Sequence, residues 1–347
     1  VGFAHGSGAK ERVHTCLHAY RNMFAAQGIG WDAAREQAKT HIPAIEAYHS
    51  DLLDEMRGVA DGAGLPFEDI LVLNARSEIT FAMGGKKKES DGCTSAAVTP
   101  ERTADGHMLI GQNWDWKKPL RQALVLLKVI SPGEPDILML TEAGILGKMG
   151  MNSAGLALCL NALAADYKPE GVPLLLALRR TLEAETLMGA VREATRARVG
   201  CCGNFLLGHR DGEALDVELA CEDFDVLYPK ESILVHSNHF VSPRLPRYPH
   251  FDTMKRGSSS SFMRLGRADK LFRAAGKADV ETFRRVFADH ADHPHGICSH
   301  ENEKDAPADR YCTVCAYVAD LTAMDMYICP GNPCEQPFAK VNFFDIQ

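Results

Sequence analysis

The chain lacks both a long hydrophobic run and a concentration of positive charge. No stretch approaches the roughly 20 consecutive apolar residues that a membrane-spanning helix requires. The formal net charge is -8, and basic and acidic residues are mixed along the chain, so there is no basic stripe to neutralise nucleic-acid phosphates. The one compact basic run, at residues 86–88, is followed at once by Glu89 and Asp91, which predicts a solvated loop. We therefore expect neither a membrane nor a nucleic acid as a partner.

A disulfide framework is not indicated either, because the cysteines number eleven, which is odd, in a chain of 347 residues. Most of them are flanked by apolar residues, as in Leu158-Cys159-Leu160, and free cysteine often packs as a small buried hydrophobe. This usage predicts reduced core thiols in a reducing compartment, so we expect a cytoplasmic protein. The chain begins at Val1 instead of methionine, and we expect that further residues precede it.

What the chain does have is the composition of a globular protein with a large core, with 46% hydrophobic and 24% charged residues. No internal repeat or interdomain linker is evident, so residues 1–347 are predicted to form a single domain. Periodicity and turn signals predict helices at 9–27, 35–60 with a bend near Pro43, 174–196, 262–275 and 279–290. They predict strands at 93–99, 107–112, 122–130, 136–142, 156–160, 203–208, 214–219, 311–319 and 323–329, a short apolar segment at 233–236, and a loop over 240–261. Helices, strands, helices and strands in this order favour an α+β fold of two sheets sandwiched between helical layers.

One cysteine stands in an unusual place, directly after a glycine and at the start of a predicted strand, in Gly92-Cys93-Thr94. A cysteine nucleophile needs an available thiolate, which a neighbouring base can provide. That base is usually a histidine, but it can also be the residue's own α-amino group, whose ordinary pKa is about 7.7 to 8.0. The second route requires cleavage just before Cys93. Gly92 suits such cleavage because it tolerates strained backbone angles and leaves its carbonyl open to attack.

A second polar block follows twenty residues later, in Gln112-Asn113-Trp114-Asp115. The spacing predicts a hairpin that returns residues 113–115 towards Cys93. A carboxylate there could orient the freed amine, and an amide could hold a substrate.

Five blocks together resemble one known family, the acyl-coenzyme A:6-aminopenicillanic acid acyltransferases, which are N-terminal nucleophile hydrolases of cysteine type. The resemblance runs in order from Gly2 to about Cys298. The blocks are Asp91-Gly92-Cys93-Thr94, Gly111-Gln112-Asn113-Trp114-Asp115, Leu73-Asn74-Ala75-Arg76-Ser77-Glu78, Asn152-Ser153-Ala154-Gly155 and His236-Ser237-Asn238-His239. The resemblance implies an αββα sandwich of two mainly antiparallel sheets and a family strand near residues 2–6. It also implies self-cleavage into an α piece, 1–92, and a β piece, 93–347, that stay associated.

The resemblance also implies roles for individual residues. Cys93 would be the nucleophile and its new amino group the base, Asp115 would orient that amine, and Asn238 would supply an oxyanion-hole amide. The strand end at residues 326–331 lacks the arginine expected from the fungal acyltransferase. The resemblance therefore implies amide-bond chemistry but not transfer onto a penicillin nucleus.

Each of these residues also has a structural interpretation. Cys93 could be a core thiol, Asp115 a turn carboxylate and Asn238 a buried turn residue. Asn113, Trp114, Arg76 and His239 are interpreted as substrate-binding or structural support, with Arg76 in an ion pair with Glu78 or Asp115.

A rival site is the cluster of metal-ligand types between residues 289 and 300. Its members are Asp289, His290, Asp292, His293, His295, Cys298 and His300. Their spacing fits no recognised zinc finger, and Pro294 and Gly296 favour a polar loop. A metal-dependent hydrolase and a catalytically inactive binding protein are the alternatives to the cysteine enzyme.

The resulting hypothesis is an autoprocessed cysteine amide hydrolase or acyltransferase. Its acyl donor would be a small amide, an N-acyl amino acid, a peptide or a thioester, and its acceptor water or an amine. We expect no metal and no organic cofactor, and the sequence leaves the oligomeric state open.

Overall fold

A computed structural model gives the fold of residues 1–83, 92–165, 167–168, 170–245 and 259–346. The basic run at 86–88 and residues 246–258 of the predicted loop lie outside these ranges. The helices are α1 (Gly2–Gly8), α2 (Lys10–Ala26), α3 (Trp31–Lys39), α4 (Ile42–His49), α5 (Asp51–Ala63), α6 (Phe67–Asn74), α7 (Arg76–Met83), α8 (Leu174–Leu182), α9 (Leu187–Arg196), α10 (Ser259–Ala274) and α11 (Val280–Phe287). The strands are β1 (Gly92–Val98), β2 (Leu109–Trp116), β3 (Leu124–Val129), β4 (Ile137–Glu142), β5 (Met149–Asn152), β6 (Leu156–Ala162), β7 (Gly203–His209), β8 (Ala214–Leu219), β9 (Phe224–Leu227), β10 (Ile233–His236), β11 (Cys312–Asp320), β12 (Asp325–Cys329) and β13 (Ala339–Asn342).

The strands form two antiparallel sheets. One has six strands in the order β10-β1-β2-β11-β12-β13, and the other has seven strands, β3 to β9, in chain order. The sheets pack face to face, with β1 and β2 against β6. The interior between them is apolar where Ala97 and Ile110 meet the core, and polar at Ser95, whose hydroxyl donates to Asn161 Oδ1 at 2.6 Å.

Helices cover the outer faces of both sheets. On the six-stranded sheet, α10 and α11 bury Phe272, Phe283 and Phe287 against β1, β2 and β11. On the seven-stranded sheet, α8 packs against β5 and β6, and α9 against β7 and β8. The predicted αββα sandwich is therefore confirmed. Among the described residues, no helix has the length and apolar character needed to cross a membrane.

The chain start differs from the family strand expected near residues 2–6, because Gly2–Gly8 is a helix packed on α5. The two helix backbones come so close that a Cβ at Gly2 would collide with the Glu55 carbonyl, and one at Gly6 with the Val59 carbonyl. Only residues without a side chain permit this approach.

Two predicted helices are also shorter than expected. The region 35–60 is divided among α3, α4 and α5, and Pro43 lies in the first turn of α4, where its missing N–H costs nothing. The predicted helix 174–196 is interrupted between α8 and α9, where the Thr186 hydroxyl accepts a hydrogen bond from Gly189 N at 3.1 Å and caps α9. Helix-forming composition continues across both breaks, so the capping and proline signals were the better guide.

Candidate active site

The predicted hairpin of β1 and β2 is confirmed, and its register places the site. Gly92 lies opposite Asp115, and Cys93 lies opposite Trp114. Because side chains alternate along a strand, Cys93 and Trp114 project into the space between the sheets, whereas Gly92 and Asp115 lie on the face covered by α10 and α11. The nucleophile candidate and the carboxylate candidate are thus neighbours on opposite faces of one strand pair.

Cys93 is 2% exposed, and both of its backbone polar groups are held by side chains from distant parts of the chain. Its N–H donates to Asn238 Oδ1 at 2.7 Å, and its carbonyl oxygen accepts from Arg264 Nη1. Asn238 Nδ2 donates in turn to the Ala162 carbonyl at 3.0 Å. Donors on one side and an acceptor on the other determine the orientation of the Asn238 amide.

Arg264 is the residue that the sequence interpretation missed. It lies on α10, is 2% exposed, and donates to Thr94 Oγ1 at 3.1 Å and to Asn238 Oδ1 at 2.9 Å. A signal was present, because Arg264 shares a four-residue spacing with the buried Ala268 and Phe272, so the apolar stripe of the predicted helix contains one arginine. Arginine is almost never buried without partners, so such a position predicts a charge or acceptor beneath it.

The loop that carries Asn238 is anchored by a buried carboxylate. Glu218 accepts hydrogen bonds from Val241 N at 2.6 Å and Ser242 N at 3.0 Å, and it hydrogen-bonds His236 Nε2 at 2.8 Å. Burial lowers the pKa of His236, but the charge of Asp216 and the hydrogen bond to Glu218 outweigh burial and raise it overall. Residues on both sides of Asn238 are therefore fixed to β8.

A second anchor comes from the serine run, which the sequence indicated only as a flexible loop. Ser261 is fully buried; its hydroxyl accepts from Asn238 N at 2.9 Å and hydrogen-bonds His239 Nδ1 at 2.7 Å. The His239 ring also lies 4.2 Å from the Phe262 ring. His239 thus braces the Asn238 loop against α10.

Asp115 is fully buried beside Gly92, the residue that precedes Cys93. A Cβ built on Gly92 would lie 2.6 Å from Asp115 Oδ2, so only glycine fits there. Asp115 Oδ1 accepts from Thr313 Oγ1 at 2.6 Å, and that hydroxyl accepts from Ser299 N at 2.9 Å. The register of β11 shifts between Thr313 and Cys315, a bulge of the kind that re-aims side chains beside functional sites.

Asn113 lies opposite Thr94, next to Cys93, but its side chain holds a loop in place. Its Nδ2 donates to the Phe287 carbonyl at 2.8 Å and to the Ile297 carbonyl at 2.9 Å. These bonds attach the end of α11 and the following loop to β2, which supports the structural interpretation of Asn113.

Tyr20, Arg76, Glu142 and Lys148 form a buried ionic cluster, the Glu142 cluster. Arg76 is a member of it, and Trp114 packs against it. Lys148 Nζ lies 3.1 Å from Glu142 and 3.6 Å from the centre of the Trp114 ring. Arg76 lies 3.7 Å from Glu142, and the Tyr20 hydroxyl donates to Glu142. Burial raises the pKa of Glu142, but the charges of Lys148 and Arg76 lower it by more, so the net shift is downward. The ion pair shown for Arg76 is therefore with Glu142, which the sequence had not suggested.

A groove of about 460 Å³ lies between α2 and the segments 117–122 and 301–310. Thr15, Met23, Lys117 and Ala308 are among its lining residues. The groove begins just past the end of β2, and Cys93 and Asn238 do not contribute to its described walls, so it is not the reaction centre itself.

The rival cluster at 289–300 separates into parts. Asp289 is engaged by Arg267 through two hydrogen bonds of 3.0 and 2.7 Å, and the His295 ring stacks on Tyr311. His290, Cys298 and His300 do converge, and Cys334, which the sequence did not indicate, joins them.

Comparison with known proteins adds evidence on the family and the fold of this chain. The family model for acyl-coenzyme A:6-aminopenicillanic acid acyl-transferase matches residues 102–335. The 40 kDa form of acyl-coenzyme A:6-aminopenicillanic-acid-acyltransferase from Emericella nidulans is 28% identical over 304 residues, covering 86% of this chain and 81% of that protein. An uncharacterised protein of Archaeoglobus fulgidus is 23% identical over 245 residues, or 56% of this chain and 40% of that protein.

Solved structures share the fold at low identity. Penicillin V acylase from Agrobacterium tumefaciens is 13% identical, with a TM-score of 0.50 over 73% of this chain and 86% of that one. A variant of conjugated bile acid hydrolase from Clostridium perfringens is 14% identical, with a TM-score of 0.52 over 74% of this chain and 94% of that one. The fold is thus of the N-terminal nucleophile hydrolase type. Because the family model spans well over half of the sequence, this chain belongs to the acyl-coenzyme A:6-aminopenicillanic acid acyl-transferase family.

Proposed function

We propose that the chain is a precursor that cuts itself between Gly92 and Cys93 and that the product is a cysteine amide hydrolase or acyltransferase. The observation that carries the proposal is a pair of hydrogen bonds at the Cys93 backbone. Its N–H donates to the buried Asn238, and its carbonyl accepts from the buried Arg264. A core thiol needs no such partners, because a strand satisfies its backbone through its neighbours.

The first reaction would be attack of Cys93 Sγ on the Gly92 carbonyl carbon. The C–N bond breaks, a thioester forms between Gly92 and the Cys93 sulfur, and the nitrogen leaves as the new α-amino group. Water then hydrolyses the thioester, adding OH to Gly92 and returning hydrogen to the thiol. The position of Asp115 against Gly92 puts a carboxylate beside the bond that breaks.

In the cleaved protein, the Cys93 nitrogen becomes an amine with an ordinary pKa of about 7.7 to 8.0, which suits a general base near neutrality. Asn238 Oδ1 is already placed to accept a hydrogen bond from that nitrogen. The amine would take the thiol proton as the sulfur attacks a substrate acyl carbon, and it would return the proton to the leaving amine. The guanidinium of Arg264 holds the Cys93 carbonyl and Asn238 Oδ1, so it keeps the Cys93 backbone and its amide partner in place.

Asn238 would then have two tasks. Its carbonyl positions the Cys93 nitrogen, and the N–H of its Nδ2 that does not bond Ala162 would stabilise the oxyanion of the tetrahedral intermediate. The oxyanion role is the one that the sequence predicted; the positioning role comes from the observed contact.

The names of the relatives, an acyl-coenzyme A:6-aminopenicillanic acid acyltransferase, a penicillin V acylase and a conjugated bile acid hydrolase, support amide acyl chemistry for this chain. We infer an acyl donor that is a small amide, an N-acyl amino acid, a peptide or a thioester. Water or an amine resolves the acyl-enzyme, and the chemical step uses the Cys93 thiol and amine.

The test is intact mass under denaturing conditions. Wild type should give two pieces that separate before Cys93, Cys93→Ala should stay as one chain, and Cys329→Ala, which also removes a buried thiol, should be cut normally. A panel of N-acyl amides, assayed with and without an added amine, then separates hydrolysis from transfer. An uncut wild-type chain that still turns over these substrates would refute the proposal.

A further inference from the structure

We propose that His290, Cys298, His300 and Cys334 form a structural zinc site. Each residue offers one ligand atom, and the four atoms all lie within 4.8 Å of one another. Two imidazoles and two thiols are the ligand set of Cys₂His₂ zinc sites. The zinc proposal does not rest on the proposed reaction at Cys93.

The spacing of the ligand atoms matches a tetrahedron around zinc. Zn–S bonds of about 2.3 Å and Zn–N bonds of about 2.0 to 2.1 Å require S···S, S···N and N···N separations of about 3.8, 3.6 and 3.3 Å. The two sulfurs are 3.5 Å apart, and the Nε2 atoms of the two histidines are 3.1 Å apart. His300 Nε2 lies 3.7 Å from Cys298 Sγ and 3.4 Å from Cys334 Sγ. A disulfide would instead need the sulfurs at about 2.05 Å.

Residues around the cluster are arranged as metal ligands require. Glu335 Oε1 lies 3.7 Å from His300 Nδ1, on the far side of the ring from the cluster. Asn332 Nδ2 donates to Cys298 Sγ at 3.4 Å and to the Ser299 carbonyl at 2.7 Å, and Arg121 donates to Asn332 Oδ1. Zinc sites of this type commonly have a carboxylate near the other ring nitrogen of a ligating histidine and N–H donors directed at the thiolates.

The cluster is closed, because four protein ligands fill a tetrahedral zinc and leave no position for substrate or water. It also joins two segments that are far apart in sequence, the loop after α11 and the turn after β12. Both features indicate a stabilising role instead of a metal-dependent hydrolase.

The site connects to Asp115 through Ser299, which lies between two of the ligands. Ser299 N donates to Thr313 Oγ1 at 2.9 Å, and Thr313 Oγ1 donates to Asp115 Oδ1 at 2.6 Å. Zinc would therefore hold the segment that supports the Asp115 carboxylate.

Metal content tests the site directly. Inductively coupled plasma mass spectrometry of the purified protein should find about one zinc per chain. Protein stripped of metal with EDTA should then bind one zinc or one cobalt per chain. The cobalt form should show the intense near-ultraviolet band of a thiolate–Co²⁺ bond. Stripped protein should also unfold at a lower temperature than the zinc form, because ligand binding stabilises the folded state.

Variants locate the ligands. Cys334→Ser and His290→Ala should lose zinc and the cobalt band, whereas His293→Ala, in the same loop but outside the ligand set, should keep both. Cys93→Ala should also keep the metal, which separates this site from the proposed reaction. The inference is overturned if wild type neither contains nor takes up zinc or cobalt, if mapping shows a Cys298–Cys334 disulfide, or if His293→Ala loses metal as fully as His290→Ala.

Discussion

Two buried polar regions flank the strand pair that carries Cys93, and they are organised in opposite ways. Asn238 and Arg264 direct their hydrogen bonds at the backbone of Cys93 itself. The members of the Glu142 cluster direct their charges at one another and at the rings of Trp114 and Trp116. The first region surrounds the backbone atoms that would change in the proposed reaction, and the second supports the neighbouring tryptophan side chains of β2. The two regions therefore differ in the direction of their contacts and not in the burial of charge.

Glu142→Gln should produce the largest effect, on stability. It removes the carboxylate that Arg76 and Lys148 both contact, and breaking a buried pair in this way typically costs about 3 to 5 kcal/mol. Lys148→Met should cost less, because Arg76 and Tyr20 still satisfy Glu142. Urea unfolding in the Cys93→Ala background, where the chain stays uncut, measures both. Equal costs for the two variants would show that the cluster is not centred on Glu142.

Asn238→Ala should act mainly on the reaction. Loss of one oxyanion-hole donor typically lowers kcat by about 100- to 1,000-fold, and self-cleavage should slow as well because the Cys93 N–H loses its acceptor. His239→Ala, which removes a brace of the same loop, should have a smaller effect. Time courses of cleavage by mass and kcat on the preferred N-acyl amide are the measurements. An Asn238→Ala enzyme with wild-type kcat would remove Asn238 from the site.

Gly92→Ala should lower both the stability of the fold and the rate of self-cleavage, each by less than the variants above. The added methyl collides with Asp115 Oδ2, and overpacking of this kind typically costs about 1 to 3 kcal/mol. Self-cleavage should slow because Asp115 is displaced from the bond. Gly266→Ala is the matched control: it adds a methyl in α10 where nothing lies within 4 Å, and should be neutral or slightly stabilising. Normal cleavage of Gly92→Ala would show that the Asp115 contact does not matter.

The smallest effect should come from pH at the anchor of the Asn238 loop. His236 has a pKa raised above its ordinary 6.5, so its charge stabilises the fold at pH below 6.5, and this contribution is lost as pH rises through the folded pKa. Burial also raises the pKa of its neighbour Asp216 to about 6. The stability advantage of wild type over His236→Gln should be greatest near pH 6 and shrink towards pH 9. Urea unfolding at several pH values, again in the uncut background, measures it; an advantage that grows with pH would contradict the assignment.

The elements that could be predicted are those whose signals are local. Alternation and turn residues located β1, β2, β7, β8 and the hairpin of β11 and β12, and the resemblance of short motifs identified the fold and the family. The strands missed, β5, β9, β10 and β13, have only four residues each, too few for a period to show. Helix lengths were overestimated where propensity continued across a break that a cap or a proline decided.

By itself, the sequence determined the Gly92-Cys93 junction, the facing Asn113-Trp114-Asp115 block and the αββα class, because strand register and side-chain alternation follow from neighbouring residues. The tertiary structure alone decided that Asn238, 145 residues from Cys93, and Arg264, 171 residues away, meet at the backbone of Cys93. It alone brought Cys334 to Cys298 and paired Arg76 with Glu142. Such contacts depend on how whole layers pack, and no local pattern of residues encodes the distance between two layers.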